Sequence, residues 1–289
     1  MEFEKFLEGI AWTKREWQDI GKRIKLPQSS SYEALRKRGD AYWLHLETMT
    51  EDRLSKEIIT GFLNTREWNC RINKPNTSAG KRVVQNLKKA LDKLPPYYAA
   101  VKNLRIEDAD LQGLTELKVT GGVPVKVPVI LIVAEIYATL CEVKPRFGPV
   151  PASKLMHMAL PNLFMMWDDA IIKEYHVPSY PSNKPQYLTF LVLMQENIAH
   201  IRATHAKGSS ITNSQFVRDV NVVCGYRNLP MARLLDIANY SVGHPERGAP
   251  NIKCKRCCET TNVKLGQLEA LIRQYSGSED TKLGRYRYS

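Results

Sequence analysis

The chain has 289 residues, 43% of them hydrophobic and 25% charged, which is enough apolar surface for a proper core and excludes a disordered or fibrous chain. Lys and Arg number 42 against 30 Asp and Glu, a formal net charge of +12. That field favours a polyanion, nucleic acid above all, over a merely basic surface. A membrane surface is disfavoured, because no basic amphipathic helix stands apart from the rest.

The longest apolar stretch, residues 127–134, is far short of the ~20 residues that cross a bilayer. The opening MEFEKFLEGIAW carries acids early and has no apolar leader core, so a cytoplasmic protein with no membrane partner is expected. Six cysteines, at 70, 141, 224, 254, 257 and 258, read as reduced thiols rather than a disulfide framework.

Helical periodicity dominates, with short amphipathic runs at 3–10 and 14–24. Ser30 and Ser31 suit the start of a helix carrying Tyr32, Leu35, Tyr42 and Leu46; Thr50 suits another, with Leu54, Ile58 and Phe62 on one face. Ser78 opens a basic helix through Val83, Leu87 and Leu91, which Pro95 and Pro96 end. Residues 114–129 alternate, are rich in Val and Thr, and contain Gly121-Gly122. They read as a small β-hairpin, with Pro124 and Pro128 limiting it to edge strands or an extended loop. Helix resumes from Val129 through Leu140, and again over 187–205, from Asn213 or Ser214, over 229–240 and over 263–275. The fold class is therefore mostly α. The length suits one large domain or two closely packed lobes; the two-lobed reading places an N-terminal helical lobe at 1–120 and a C-terminal lobe, with the hairpin segment and the last helices, at 121–289.

Residues 144–172 read KPRFGPVPASKLMHMALPNLFMMWDDAII. Pro145, Gly148, Pro149 and Pro151 make a turn, and residues 152–160 a helix whose first N–H groups face back to that turn. A helix N-terminus of this kind seats phosphate; Lys144, Arg146 and Lys154 add charge, with Gly148 and Ser153 beside them. Pro161-Asn162 ends the helix, an apolar run follows, and Asp168-Asp169 opens the next helix. Asp168 has two readings that can coexist: an N-cap, and a fixed carboxylate able to do chemistry. Asp169 reads as a first-turn acid favoured by the helix dipole.

This segment resembles the helix-hairpin-helix superfamily of DNA glycosylases, which joins a hairpin of the form L-P-G-V-G-x-K to a helix, an apolar run and an aspartate in a pattern like V-D-[TG]-[HN]-[VI]. Trp167-Asp168-Asp169-Ala170-Ile171 fits the last pattern without a gap. Counting back, Ala152, Gly148, Phe147 and Pro145 fall on the helix alanine, the second hairpin glycine, the hairpin's apolar residue and its proline. The wording SKLMH…LF…WDDAI is similar to an oxoguanine-glycosylase-like group of prokaryotic proteins. Arg146 departs from the first hairpin glycine, and Val150 stands where bifunctional members place a Schiff-base lysine. The resemblance implies a monofunctional enzyme with Asp168 as the catalytic carboxylate: it flips a damaged or modified base out of double-stranded DNA, hydrolyses the N-glycosidic bond and leaves an abasic site. Repair is one implied role. A narrower one is antiviral defence, by removal of hypermodified cytosine from phage DNA.

Other signals are weaker. FLNTREWNCR interleaves aromatic, amide and guanidinium groups, so Trp68, Asn69 and Arg71, with Trp167, are candidates for the base pocket; a helix end with a buried Trp fits equally. Cys254, Cys257 and Cys258 lack a complete metal-ligand set, and no nucleotide-binding fingerprint appears. No metal, cofactor or obligatory protein partner is expected. Two alternatives stay open: a non-catalytic DNA-binding module, and a metal-dependent nuclease built on Asp168 and Asp169.

Overall fold

The computed structural model describes residues 1–23, 70, 72, 77–118, 122–145, 147–175, 183–226, 228–242 and 247–250, without the side chains of 17–23, 173, 174 and 183–186. The expected helices after Ser30 and Thr50, the helix at 263–275 and the cysteines at 254, 257 and 258 lie outside them. Among the described residues the fold is mostly helical, with one two-stranded sheet.

The two N-terminal runs form one helix, α1 (Phe3–Arg23). Thr13, which looks like a break in the apolar pattern, is instead buried, and its hydroxyl donates to the Ile237 carbonyl at 2.8 Å. The chain start is docked as well. Met1 is buried, its amino group donates to Asn197 Oδ1 at 3.5 Å, and Phe3 N–H donates to Thr204 Oγ1 at 2.9 Å.

Helix α2 (Ser78–Leu91) is capped by Thr77, whose hydroxyl oxygen accepts from Gly80 N–H, one residue before the expected start. It buries Gly80, Val83, Leu87 and Ala90 on one stripe, the spacing of an amphipathic helix. Pro95 and Pro96 do more than end it. They begin α3 (Pro95–Val101), where a missing N–H costs nothing.

Strands β1 (Leu114–Leu117) and β2 (Val125–Pro128) pair antiparallel, Leu114 opposite Pro128 and Leu117 opposite Val125. Pro128 ends the ladder and leads directly into α4 (Val129–Cys141). That helix has no side-chain cap. Its first two N–H groups, on Val129 and Ile130, are taken by the carbonyls of Gly113 and Leu111, at 3.0 and 2.8 Å. With sequence VILIVAEIYATLC it is apolar on nearly every side and accordingly buried, packed by α2, α3 and two of the helices that follow, Pro149–Ala159 and Asn183–Ala206.

After a turn come α5 (Pro149–Ala159), an extended run, and the short α6 (Asp169–Glu174). Then follow α7 (Asn183–Ala206), α8 (Asn213–Cys224, capped by Thr212) and α9 (Met231–Val242). Helix α9 packs along α1, the first helix of the chain against the last described one. A boundary near residue 120 would cut between the paired strands β1 and β2, and one apolar core runs from Met1 to Val242 across it.

Candidate functional site

The turn between α4 and α5 is held by a glycine conformation and by a side-chain hydrogen bond. Gly148 has φ 68 and ψ −171, a region open in practice only to glycine, and a Cβ there would meet nothing within 4 Å. Conformation, not space, requires glycine. The Asn86 side-chain amide of α2 donates to the Lys144 carbonyl at 2.9 Å, tying the turn to the basic helix. Lys144 is exposed. Arg146 lies outside the described residues.

Helix α5 begins three residues earlier than the sequence suggests. The correction bears on its phosphate seat. Of the positions whose N–H groups a helix leaves unused, Pro149 and Pro151 have none, so Gly148 and Val150 supply the donors. An anion at this end would therefore depend more on Lys144 and Lys154 than on the backbone. Lys154 is half-buried. Ser153 is fully buried and faces inward, so its side chain is engaged within the protein and presents nothing to solvent.

The run 163–168 is fixed residue by residue. His157 Nδ1 lies 2.5 Å from the Phe164 carbonyl. Tyr187 O–H donates to the Met165 carbonyl at 2.9 Å. Met166 N–H donates to Asp236, at 3.2 Å from Oδ1. The Ser153 hydroxyl is 3.2 Å from the Trp167 carbonyl, and Trp167 N–H donates to Ser153 Oγ at 3.3 Å. Side chains from α5, α7 and α9 thus pin four consecutive residues of a segment with no ladder or helix of its own. Trp167 is 1% exposed, in edge contact with Tyr137 and Tyr187, which stack on each other with centroids 4.5 Å apart. It is a packing residue of the core and offers no open surface to a base.

Asp168 comes next, half-exposed. Its Oδ1 accepts from Ile171 N–H at 2.9 Å, and its carbonyl accepts from Ile172 N–H. The capping role is therefore real. It uses one carboxylate oxygen; Oδ2 has no hydrogen-bond partner among the described residues. Asp169 is exposed in the first turn of α6.

Behind Asp168 lies a buried polar pair. Asp236 Oδ2 is 3.6 Å from His157 Nε2, both side chains nearly inaccessible. Facing a carbonyl at 2.5 Å, His157 Nδ1 must carry the ring proton, which leaves Nε2 as an acceptor. Burial, with Arg233 adding to it, pushes the imidazole down to about 3. Burial pushes the Asp236 carboxyl well above its ordinary range, and the Asp168 charge adds to that, against the pull of Arg233, the Met166 N–H and Lys154. The pair is therefore a neutral acid facing a neutral base, with its proton on Asp236, rather than an ion pair. Asp236 is a residue the sequence reading missed. Its signal was one carboxylate inside the otherwise apolar face of MARLLDIANYSV.

Lys154 links a further segment to this cluster. Burial raises the half-buried Cys70 thiol, and the Lys154 charge opposes that rise. Residue 70 thus sits in the field of the same lysine that acts on Asp236. Trp68, Asn69 and Arg71 lie outside the described residues. Among the described residues no group of three or more His, Cys, Asp or Glu is placed to hold a metal ion. Nor is any helix long and apolar enough to cross a membrane.

The geometry amounts to a half-exposed carboxylate on a rigid mount, with a buried neutral acid behind it that lies in the field of Arg233 and Lys154. Such an anion can stabilise positive charge at the surface. The chain matches no protein-family model, no curated protein and no solved structure.

Proposed function

We propose that this chain is a monofunctional DNA glycosylase, acting in the cytoplasm on a damaged or modified base of double-stranded DNA. The observation that carries the reading is the mount of Asp168: a helix, a glycine turn, a second helix and an extended run pinned at four consecutive residues, ending in a carboxylate with one oxygen available. The same order of parts underlies the resemblance drawn from residues 144–172.

The chemistry needs this combination. A base inside a duplex must leave the stack before its glycosidic bond is accessible. Breaking that bond develops positive charge on the sugar, an oxocarbenium-like transition state. A carboxylate fixed in advance stabilises the charge without reorganising, and can orient the attacking water. Asp168 is the catalytic residue on this account. The bonds of His157, Tyr187, Asp236 and Ser153 hold its segment still. Val150, in the first turn of α5, has no amine to attack the sugar carbon, so the product is an abasic site on an intact strand.

The reading is tested by mass spectrometry of bases released from duplexes carrying oxidised, alkylated, deaminated or hypermodified bases. Hypermodified cytosine in that panel separates an antiviral role from repair. Release of a free base, with strand breaks only after alkali, supports the proposal. Strand cleavage that requires magnesium and releases no base contradicts it and favours a nuclease built on Asp168 and Asp169.

A further inference from the structure

Helix α2 carries Lys81, Arg82, Lys88 and Lys89 exposed on its outer face, with no acid before Asp92 at its end. On a helix, positions three and four apart share a side. Arg82 and Lys89 therefore flank Asn86, and Lys93 continues the line in the closing turn, where its N–H donates to the Ala90 carbonyl at 3.1 Å. Asn86 is the residue whose amide holds the Lys144 carbonyl of the hairpin turn. The stripe thus runs beside the turn leading to Asp168. From Arg82 to Lys93 it covers ~16 Å at helical rise, long enough to follow several phosphates of one strand. None of Arg82, Lys89 and Lys93 forms an ion pair among the described residues. Cations three and four residues apart on one helix repel one another, a cost that a bound anion removes.

We propose that Arg82, Lys89 and Lys93, with Lys144, form a ridge that grips the backbone of duplex DNA alongside the hairpin turn and so sets the position of the strand presented to Asp168. The inference rests on the DNA-binding part of the reading above, but not on its chemistry. Phosphate contacts of this kind fix register without reading sequence.

The test compares two variants with the same charge change. One is Arg82→Gln/Lys89→Gln/Lys93→Gln. The other is Lys5→Gln/Lys118→Gln/Lys126→Gln, on α1 and the β-hairpin region, where all three lysines are exposed. Binding to an unmodified 20-base-pair duplex is measured across salt concentrations, with melting temperatures checked in parallel. Each lost phosphate contact should lower the log–log salt slope by roughly 0.9, so the ridge variant should flatten it by about 2 to 3 and weaken binding roughly 10- to 100-fold near 0.15 M salt. The control should keep most of the wild-type slope. Equal losses in both variants would show a diffuse charge effect and overturn the ridge. Tight, salt-dependent wild-type binding that the ridge variant retains would overturn it while leaving the glycosylase reading intact. A wild-type chain that does not bind duplex DNA, or prefers single-stranded RNA of the same length, overturns both.

Discussion

His157 and Asp236 show how two titratable groups can neutralise each other's pH dependence. Folded, the pair holds one proton, on Asp236. Unfolded, between the ordinary values of 3.8 for the carboxyl and 6.5 for the imidazole, the two groups also hold one, on the histidine. While Asp236 keeps that proton, their joint contribution to stability is therefore flat within that window. A carboxyl raised by burial keeps its proton to higher pH than in the unfolded chain, so its share of stability falls as pH rises through the raised Asp236 value. Below 3.8 the unfolded pair gains a second proton that folded His157 refuses until about 3, so stability falls as pH drops. Single substitutions separate the two terms. Asp236→Asn leaves the histidine alone, and stability should then fall as pH drops from 6.5, by about 2 kcal/mol at pH 5. His157→Gln leaves the carboxyl alone, and stability should fall as pH rises from 3.8. Denaturant melts of the three proteins between pH 4 and 8 check this. Slopes of the same sign in both variants would rule out the neutral pair. Neither role was legible in the sequence, because each depends on a helix far along the chain: α5 supplies the histidine and α9 the aspartate.

At the level of elements, the mount of Asp168 rests on a glycine and a serine with different tasks. Gly148→Ala forces a side chain into a backbone region that disfavours it, at a cost of about 1–3 kcal/mol. There is open space around the position, so a shift of the turn should relieve part of the strain and show as weaker DNA binding. Ser153→Ala removes the acceptor for a buried N–H, that of Trp167, and should cost about 1–3 kcal/mol. Thermal melts measure both losses. If Ser153→Ala melts like the wild type while binding DNA poorly, its role lies in the interface and the inward assignment is wrong. The order helix, turn, helix, apolar run, aspartate was legible from residues 144–172, since proline and glycine punctuate it. What escaped was the helix start. Proline tolerates the first turn of a helix as well as the turn before it, so three prolines within seven residues leave the boundary open. Trp167 escaped for another reason: adjacency in sequence to Asp168 says nothing about facing the same side.

At the scale of the whole molecule, part of the basic charge is placed by the fold: α2 carries four cations and no acid, beside the turn between α4 and α5. The charge total was legible, but its placement required the fold, because Asn86 and Lys144 meet only through the packing of α2 on α4. Similarly, α4 read as helix from its apolar run, whereas its backbone capping by the loop before β1 depends on the hairpin's register. Product chemistry also belongs at this scale, since it asks whether any amine in the folded protein reaches the sugar carbon. With Val150 at the hairpin and Lys154 one helical turn further on, half-buried, borohydride should trap no covalent adduct with DNA. A trapped adduct that disappears in Lys154→Met would replace hydrolysis with lyase chemistry.

The central claim concerns Asp168 and is tested most directly by base release from Asp168→Asn beside the wild type, on whichever duplex the wild type cleaves. Asparagine caps a helix about as well as aspartate, so the Ile171 N–H bond, the melting temperature and DNA affinity should persist. The amide has no negative charge for a cationic transition state, so base release should fall by two or more orders of magnitude, the scale of losing an electrostatic partner. Asp169→Asn, on an exposed first-turn acid, should change little. Release by Asp168→Asn at near the wild-type rate, with Asp168→Ala losing activity only in step with about 1 kcal/mol of stability, would reduce Asp168 to a helix cap and contradict the account.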